Sequence, residues 1–339
     1  MHTSMTLARF LLSEDKLLGS PEPEFQVLFA QIAFAAKIIS REVRRAALVG
    51  TLGLTGDSNP TGDIQKKLDV YANNAVIEAF TETGLVAGVV SEELESFHSL
   101  TASDNSRYIL STDPLDGSSN TDINGPVGSI FGFYRRSRTG PCEDIEAELR
   151  EGAKLVAASY VLYGPSTVLV YSRGRGVHGF TLEHDLDDFL LSHENIRCPA
   201  HGNYYSANLG NAFGWAPEIR EFVDHLTDPA SPLKRRYSLR YFGALIADLH
   251  RSLLEGGIYF YPADRKNKNG KLRLVYECAP LAFLTEKAGG RASTGSGRIL
   301  DVRLDTLHQR VPMAIGSREE VEIYERFLAA GSGAGNAGK

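Results

Sequence analysis

The chain has 339 residues, of which 42% are hydrophobic and 23% charged, with a formal net charge of −6. There is apolar material for a large core, so global disorder is excluded, and the acidic balance argues against a protein that coats nucleic acid, since such proteins carry basic excess. No run of about 18 apolar residues is present, so no membrane-spanning helix is expected.

Roughly 100–200 residues per domain allows two domains or one large α/β unit. Residues 1–12 hold one Arg and no apolar run ending in small residues, so they read as neither secretory signal nor transit peptide. In chain order, 23–50 predicts a long helix. Phe25, Leu28, Phe29, Ile32, Ala36, Ile39 and Val43 follow helical spacing, and Gly50 is its stop. Residues 52–61 are rich in Gly, Thr, Ser, Asn and Pro and read as a loop, and 63–80 as a second helix. Strands are expected at 86–90, 108–112, 130–135, 155–163, 167–171 and 177–182. A boundary is placed at 196–202, giving an N-terminal half over 1–197 and a C-terminal half over 198–328. In the second half, 217–226, 242–254 and 281–288 predict helices and 257–262 a strand. Residues 329–339 are Gly/Ala/Ser/Asn-rich and are expected to fray. Cys142, Cys198 and Cys278 show no metal or redox spacing, which suggests a reducing cytoplasm.

The chemistry concentrates where apolar strands run into acidic turns. Asp113-Pro114-Leu115-Asp116-Gly117-Ser118-Ser119 puts two carboxylates three apart directly after a strand. Gly117 permits an unusual dihedral, and the serines offer groups to cap a helix or hold an anion. Hard divalent cations take oxygen ligands and bridge to phosphate, so the turn suits a metal-bound phosphate. It also reads as an ordinary capped turn, because Asp, Pro and Gly are common turn residues. Other acids weigh toward a site. Glu92 and Glu93 follow another apolar strand, and Glu277 sits inside the apolar run 274–279. A buried carboxylate needs a partner or a metal. Asp63 and Asp69, six apart on the expected helix, would point about 120° from one another. Each acid also has a plain reading: Asp63 as a helix-start carboxylate, Glu92-Glu93 as a solvated edge. The basic stretch 265–273 is either a solvated loop or a phosphate grip, with Lys271 and Arg273 on one face if extended. Tyr259 and Tyr261 would likewise share a strand face.

Some signals are rejected. Gly174-Arg175-Gly176-Val177-His178-Gly179 fits a dinucleotide fingerprint in letters but continues as a strand, where a helix is required. No zinc-hydrolase histidine pair and no G-x-S-x-G elbow is present.

Several segments together resemble the class I fructose-1,6-bisphosphatase family. They are 61–70, Val90-Ser91-Glu92-Glu93, the 113–120 turn, Arg240-Tyr241, Ala247-Asp248-Leu249-His250-Arg251, Tyr261-Pro262-Ala263 and 271–278. The Asp-Pro-Leu-Asp-Gly-Ser turn alone marks the wider lithium-sensitive phosphatase superfamily, which includes inositol monophosphatases. The resemblance implies a layered α/β/α/β/α fold and a homotetramer. It implies hydrolysis of the 1-phosphate of fructose 1,6-bisphosphate, with two or more Mg²⁺ ions (or Mn²⁺), and room for sedoheptulose 1,7-bisphosphate as a side substrate. By position, Glu92, Asp113, Asp116, Glu277 and the Leu115 carbonyl would hold metal. Asp63 would help the leaving group, and Asp69 and Glu93 would orient and deprotonate water. Asp116, Gly117, Ser118 and Ser119 would meet the 1-phosphate. Asn208, Tyr241, Tyr259, Tyr261 and Lys271 would hold the sugar and 6-phosphate, with Arg240 reaching a neighbouring subunit. Asn211, Ala244 and Ala279 depart from common family residues without removing a ligand. At the start of the first long helix, Pro21 and Pro23 replace donors that bind inhibitory AMP in animal relatives, although Arg107, Tyr108 and Arg135 match other parts of that site. Weak or absent AMP inhibition is therefore expected. An inositol phosphatase and a non-catalytic sugar-phosphate or metal-binding protein are the alternatives.

Overall fold

The computed structural model describes residues 5–18, 22–60, 62, 64–100, 106–138, 144–151 and 153–334. Its helices are α1 (Leu7–Leu18), α2 (Pro23–Val49), α3 (Lys67–Thr81), α4 (Ile145–Glu151), α5 (Pro217–Thr227), α6 (Leu245–Glu255), α7 (Ala279–Lys287) and α8 (Arg318–Ala334). Two larger sheets lie between them, beside two two-stranded ones. Among the described residues the larger has eight strands, in the spatial order Asp188–His193, His178–Glu183, Thr167–Ser172, Lys154–Tyr163, Val127–Arg135, Tyr108–Asp116, Val86–Ser91 and His98–Ser99. The smaller has five: Ser238–Leu239, Tyr204–Ser206, Ile258–Tyr261, Met313–Gly316 and Arg291–Ser293.

The layering follows from the period-two alternation of the strands. Val89, Leu110, Phe131, Ala157, Val161 and Leu169 face α2 and α3, packing on Phe25, Phe29, Ile32 and Phe80. Their chain neighbours Val90, Ile109, Ile130, Ala158, Tyr160 and Val170 face the opposite way, into a core with Leu249, Leu253, Leu281 and Leu284 of α6 and α7. Strands buried on both faces read as near-continuous apolar runs. Tyr259, Met313 and Ile315 of the smaller sheet close that central core from the other side. Ile258, Phe260 and Ala314 turn outward onto Phe222 of α5 and Tyr324 of α8. The order is helices, sheet, helices, sheet, helices, as the α/β/α/β/α expectation has it.

The first long helix runs as its spacing predicts. Gly50 ends it at φ 77°, with its N–H on the Ala46 carbonyl. Five expectations need correction. The 242–254 helix starts only at Leu245, because the chain turns at Gly243 with φ 76°. The 52–61 stretch is not all loop: Leu54–Ser58 pairs antiparallel with Ile64–Lys66. Its five residues are all exposed, so no apolar alternation marked it as a strand. The second helix starts at Lys67, because Ile64–Lys66 is extended. Asp69 therefore lies in the first turn of α3, and Asp63 lies outside the described residues. The third helix of the second half starts earlier than expected, at Ala279, after a π-helical turn over Leu274–Cys278. The tail begins later than its composition suggests, because α8 continues to Ala334. The helices α1, α4 and α8 were not read from the sequence. The rejected glycine motif is a turn, with Gly174 and Gly176 at positive φ before the strand His178–Glu183. Among the described residues, no helix is long and apolar enough to cross a membrane.

Candidate active site

Two parallel strands deliver the first acids. Val86–Ser91 pairs with Tyr108–Asp116, setting Ser91 opposite Thr112. The Glu92 amide donates to the Thr112 carbonyl at 3.2 Å, so Glu92 and Glu93 leave the sheet beside Asp113. On its other side, Tyr108–Asp116 pairs with Val127–Arg135 as far as Asp113 and resumes at Asp116. Pro114 has no N–H to give the ladder, and the two residues between bulge out. Asp113 Oδ1 accepts the Leu115 amide at 3.1 Å, and the Ser129 hydroxyl donates to the Pro114 carbonyl at 2.7 Å. Gly117 follows at φ 74°, and a Cβ there would lie 2.4 Å from the Ala244 Cβ, so only glycine fits the turn. A 3₁₀ turn over Ser118–Ile123 then starts with Ser118 and Ser119 at the cavity wall.

Glu277 comes from the other half of the chain, on the π-helical turn before α7, a distortion frequent at functional sites. It is 3% exposed, as is Asp113. Oxygens of Glu92, Asp113 and Glu277 lie within 4.8 Å of one another. Arg273, itself buried, joins this cluster. Its backbone amide donates to Glu277 Oε2 at 2.5 Å, and its guanidinium pairs with Glu92. Arg273 is thus turned to the carboxylates and does not share a face with Lys271 toward a phosphate.

The electrostatics call for more positive charge than one arginine. Burial, then Glu92, Asp116 and Glu277, push the Asp113 carboxyl well up. Burial raises Asp116 to about 7, with Glu277 adding to it and the Ile246 amide of α6, at 2.8 Å, opposing it. Such a set of buried oxygens, with no nitrogen or sulfur donor among them, fits a hard divalent cation. A cation would restore the ionised state that burial disfavours. Asp69 stands apart from the cluster in the first turn of α3. Its Oδ2 accepts the Lys66 amide at 2.7 Å, and its Oδ1 makes no hydrogen bond of good geometry. Burial, with the Glu93 charge adding to it, raises its carboxyl to about 6. Glu93 in turn accepts from Gln65 Nε2 at 2.6 Å.

All of these groups open onto one cavity of about 640 Å³. Asn208, Tyr241, Tyr259, Tyr261 and Lys271 line it too, and Asp116 stands within electrostatic reach both of Glu277 and of Tyr241 and Tyr259, linking the carboxylate end to this second, sugar end. Tyr259 is buried in the floor, while Tyr241 is 39% exposed at the rim. The Tyr261 hydroxyl accepts from Asn211 Nδ2 at 3.1 Å.

Most of the chain has matching relatives. Residues 5–194 match the family model of the fructose-1,6-bisphosphatase N-terminal domain, and residues 198–329 that of its C-terminal domain. The chain is 54% identical to a class 1 fructose-1,6-bisphosphatase of Acaryochloris marina, over 92% of this chain and 93% of that one. It is 46% identical to one from Chlorobium phaeobacteroides, over 96% and 98%. The chain belongs to the fructose-1,6-bisphosphatase family. Among solved structures, it is similar to Leishmania major fructose-1,6-bisphosphatase in holo form, with TM-score 0.90, 39% identity, and 96% and 99% coverage. The T-state structure of the same enzyme gives a TM-score of 0.84.

Fructose-1,6-bisphosphatases are metal-dependent, in keeping with the oxygen cluster. The fold brings together every described residue that the family resemblance selected, except Arg240. That side chain is exposed beside the cavity, bonded to the Leu239 carbonyl at 2.8 Å and stacked over Tyr204. Sequence reasoning missed Arg273 as a partner of acids, and also Lys66. Lys66 is buried and reaches Asp122 at 2.6 Å, tying the start of α3 to the Ser118–Ile123 turn. Both lie within segments already singled out, but only three-dimensional packing shows which way a basic side chain turns.

Proposed function

We infer that this protein hydrolyses the 1-phosphate of D-fructose 1,6-bisphosphate, giving fructose 6-phosphate and phosphate. The observation that carries the reading is the single cavity with two unlike ends: buried carboxylates with Arg273 at one, and tyrosines with Lys271 at the other. A bisphosphate needs both ends; a monophosphate needs only the first. Glu92, Asp113, Asp116, Glu277 and the Leu115 carbonyl would hold two or more ions, Mg²⁺ or Mn²⁺. Bound there, such ions neutralise phosphate charge and favour attack by water. Asp69 and Glu93 orient the water and take its proton, for which a base near the working pH is suited. Gly117, Ser118 and Ser119 hold the 1-phosphate through N–H and hydroxyl groups, and Asp63 assists the leaving oxygen. Asn208, Tyr241, Tyr259, Tyr261 and Lys271 hold the sugar and the 6-phosphate. Arg240, exposed next to the edge strand Ser238–Leu239, would serve a neighbouring subunit of a homotetramer. The step fits sugar-phosphate metabolism of the gluconeogenic or Calvin-cycle type in the cytoplasm.

The test is phosphate release from fructose 1,6-bisphosphate by purified protein with Mg²⁺, with EDTA as control and inositol 1-phosphate alongside. Metal-dependent release from the bisphosphate alone supports the reading. Release mainly from inositol 1-phosphate, unaffected by Lys271→Ala, overturns it. One observation favours a second substrate: a neighbouring cavity of about 640 Å³ shares Tyr261 and Lys271 with the first. It gives a longer ketose such as sedoheptulose 1,7-bisphosphate room at the sugar end. Relative kcat/KM on the two sugars checks this.

A further inference from the structure

Asp248 is a buried carboxylate that no proposed step uses. It lies in the first turn of α6 and is 1% exposed. A carboxylate that deep must be compensated, and its bonds go to the segments that build the sugar end. Asp248 Oδ1 accepts the Ser206 hydroxyl at 2.7 Å and the Phe242 amide at 3.0 Å. Oδ2 accepts the Phe242 amide at 3.2 Å and the Gly243 amide at 3.3 Å. Ser206 is two residues before Asn208, and Phe242 directly follows Tyr241. The Tyr241 hydroxyl lies close enough to the Asn208 side chain to feel it electrostatically. The same first turn of α6 also gives the Ile246 amide to Asp116 Oδ2 at 2.8 Å. From the other side, Asn120 Nδ2 donates to the Phe242 carbonyl at 3.0 Å. Asn120 belongs to the turn that starts at Ser118. The 241–243 loop is thus held by its N–H groups to α6 and by a C=O to the phosphate-end turn.

We propose that Asp248 is a positioning residue that fixes the Tyr241 loop and Asn208 at a set distance from the carboxylate end, and so sets the cavity for a substrate with two phosphates. The proposal rests on the bisphosphatase reading for its substrate. Gly243 lets the loop turn at φ 76°, but this freedom leaves its path to be chosen by Asp248. The residue touches neither end's chemistry directly. Its loss therefore weakens substrate binding more than turnover. Asp248→Asn keeps the shape and turns one acceptor oxygen into a donor, facing N–H groups. KM for fructose 1,6-bisphosphate rises about tenfold, the cost of hydrogen bonds to a charged acceptor, while kcat falls less than about threefold.

Two measurements test this. The first is a double-mutant cycle on steady-state KM. If Asp248 acts through the Tyr241 loop, adding Asp248→Asn to Tyr241→Ala raises KM by less than about twofold, because the two changes remove one function. Full additivity overturns the proposal, as does a loss of kcat at unchanged KM. The second is amide hydrogen exchange on the protein without substrate. Asp248→Asn speeds exchange at Phe242 and Gly243 and leaves the Ile246 amide protected; unchanged exchange at Phe242 and Gly243 overturns the role. Ser206→Ala removes one bond only and gives the same changes in smaller size, which keeps the test available if Asp248→Asn does not fold. Wild-type protein that releases no phosphate from the bisphosphate refutes the substrate reading instead, and leaves the exchange result to judge Asp248.

Discussion

The two ends of the cavity are built on opposite plans. At the carboxylate end, Asp113 and Glu277 are 3% exposed and come from a strand bulge and a π-helical turn in different halves of the chain. At the sugar end, Tyr241, Asn208 and Lys271 sit on loops, and Tyr241 is 39% exposed. Like charges packed in a low-dielectric interior repel strongly, so the carboxylate end exists only because the surrounding core holds it in place. The sugar end carries neutral hydroxyls and amides around one lysine, and such groups are inexpensive to hold at a surface. The contrast teaches where each kind of function resides. On the proposed reading, rigid, costly charge would serve turnover, and adaptable, more exposed polarity would serve binding.

Breaking the carboxylate end has the largest effect. Glu277→Gln keeps the volume but removes a charge that Arg273 and the proposed cations share. The expected result is a loss of kcat on the order of 10³-fold, in the range seen when one strong electrostatic contributor is removed, together with a raised metal requirement. A kcat measurement across a Mg²⁺ titration reads both effects. A change confined to KM would erase the distinction between the ends. At the sugar end, Lys271→Met retains the stem and removes the ammonium. KM rises on the order of 10–100-fold, the worth of a charge-assisted hydrogen bond, and kcat stays within a few-fold. If kcat fell instead, the two ends would not divide the work.

The same contrast explains what the sequence reveals. Acids at strand ends are legible because an apolar run followed by Asp-Pro-Leu-Asp-Gly has few solutions, and its strand continues through the bulge to Asp116. The layered core is legible because alternating apolar residues must face two sides. An extended backbone places Lys271 and Arg273 on one face, whereas Arg273 turns to Glu277, four residues on, and to Glu92, 181 residues earlier, and only the fold shows the second of these partners. The Leu54–Ser58 strand leaves no apolar alternation in the sequence, because all its side chains are exposed and, among the described residues, its one partner is Ile64–Lys66. Asp248 stands in the sequence as one acid within the segment Ala247-Asp248-Leu249-His250-Arg251. Nothing in its neighbours in sequence shows that its partners are Ser206, Phe242 and Gly243.

The proposed base sharpens the comparison from within the carboxylate end. Burial and Glu93 raise Asp69 from 3.8 to about 6. A general base works in its deprotonated form, so lowering the pH through about 6 protonates it and removes activity. Cations bound nearby would favour the ionised form, so at saturating metal the acid limb lies at or below that value, and along it kcat/KM falls about tenfold per pH unit. An aspartate in water would keep its charge down to near 3.8. In Asp69→Asn the acid limb disappears along with most of the activity. A limb unchanged in position in that variant would assign the titration to another group.

The smallest expected effect lies away from both ends, at the start of α2. Arg107 pairs with Glu24 at 3.1 Å, and Arg135 pairs with Glu22 at 2.5 Å and stacks over Tyr108. An anion arriving there must displace two carboxylates. These ion pairs are half-exposed, and each contributes at most about 1 kcal/mol, so each weakens a competing phosphate by no more than about fivefold. The missing donor counts for more: Pro23, at the first turn of α2, has no N–H with which a helix start would hold phosphate. Together the two effects predict that AMP changes kcat/KM by less than about twofold at concentrations that would saturate an amide-lined site. Steady-state inhibition at submicromolar AMP would mean that the carboxylates yield easily and that donors other than the α2 start hold the phosphate. In that case Glu22→Gln should tighten inhibition further, by freeing Arg135.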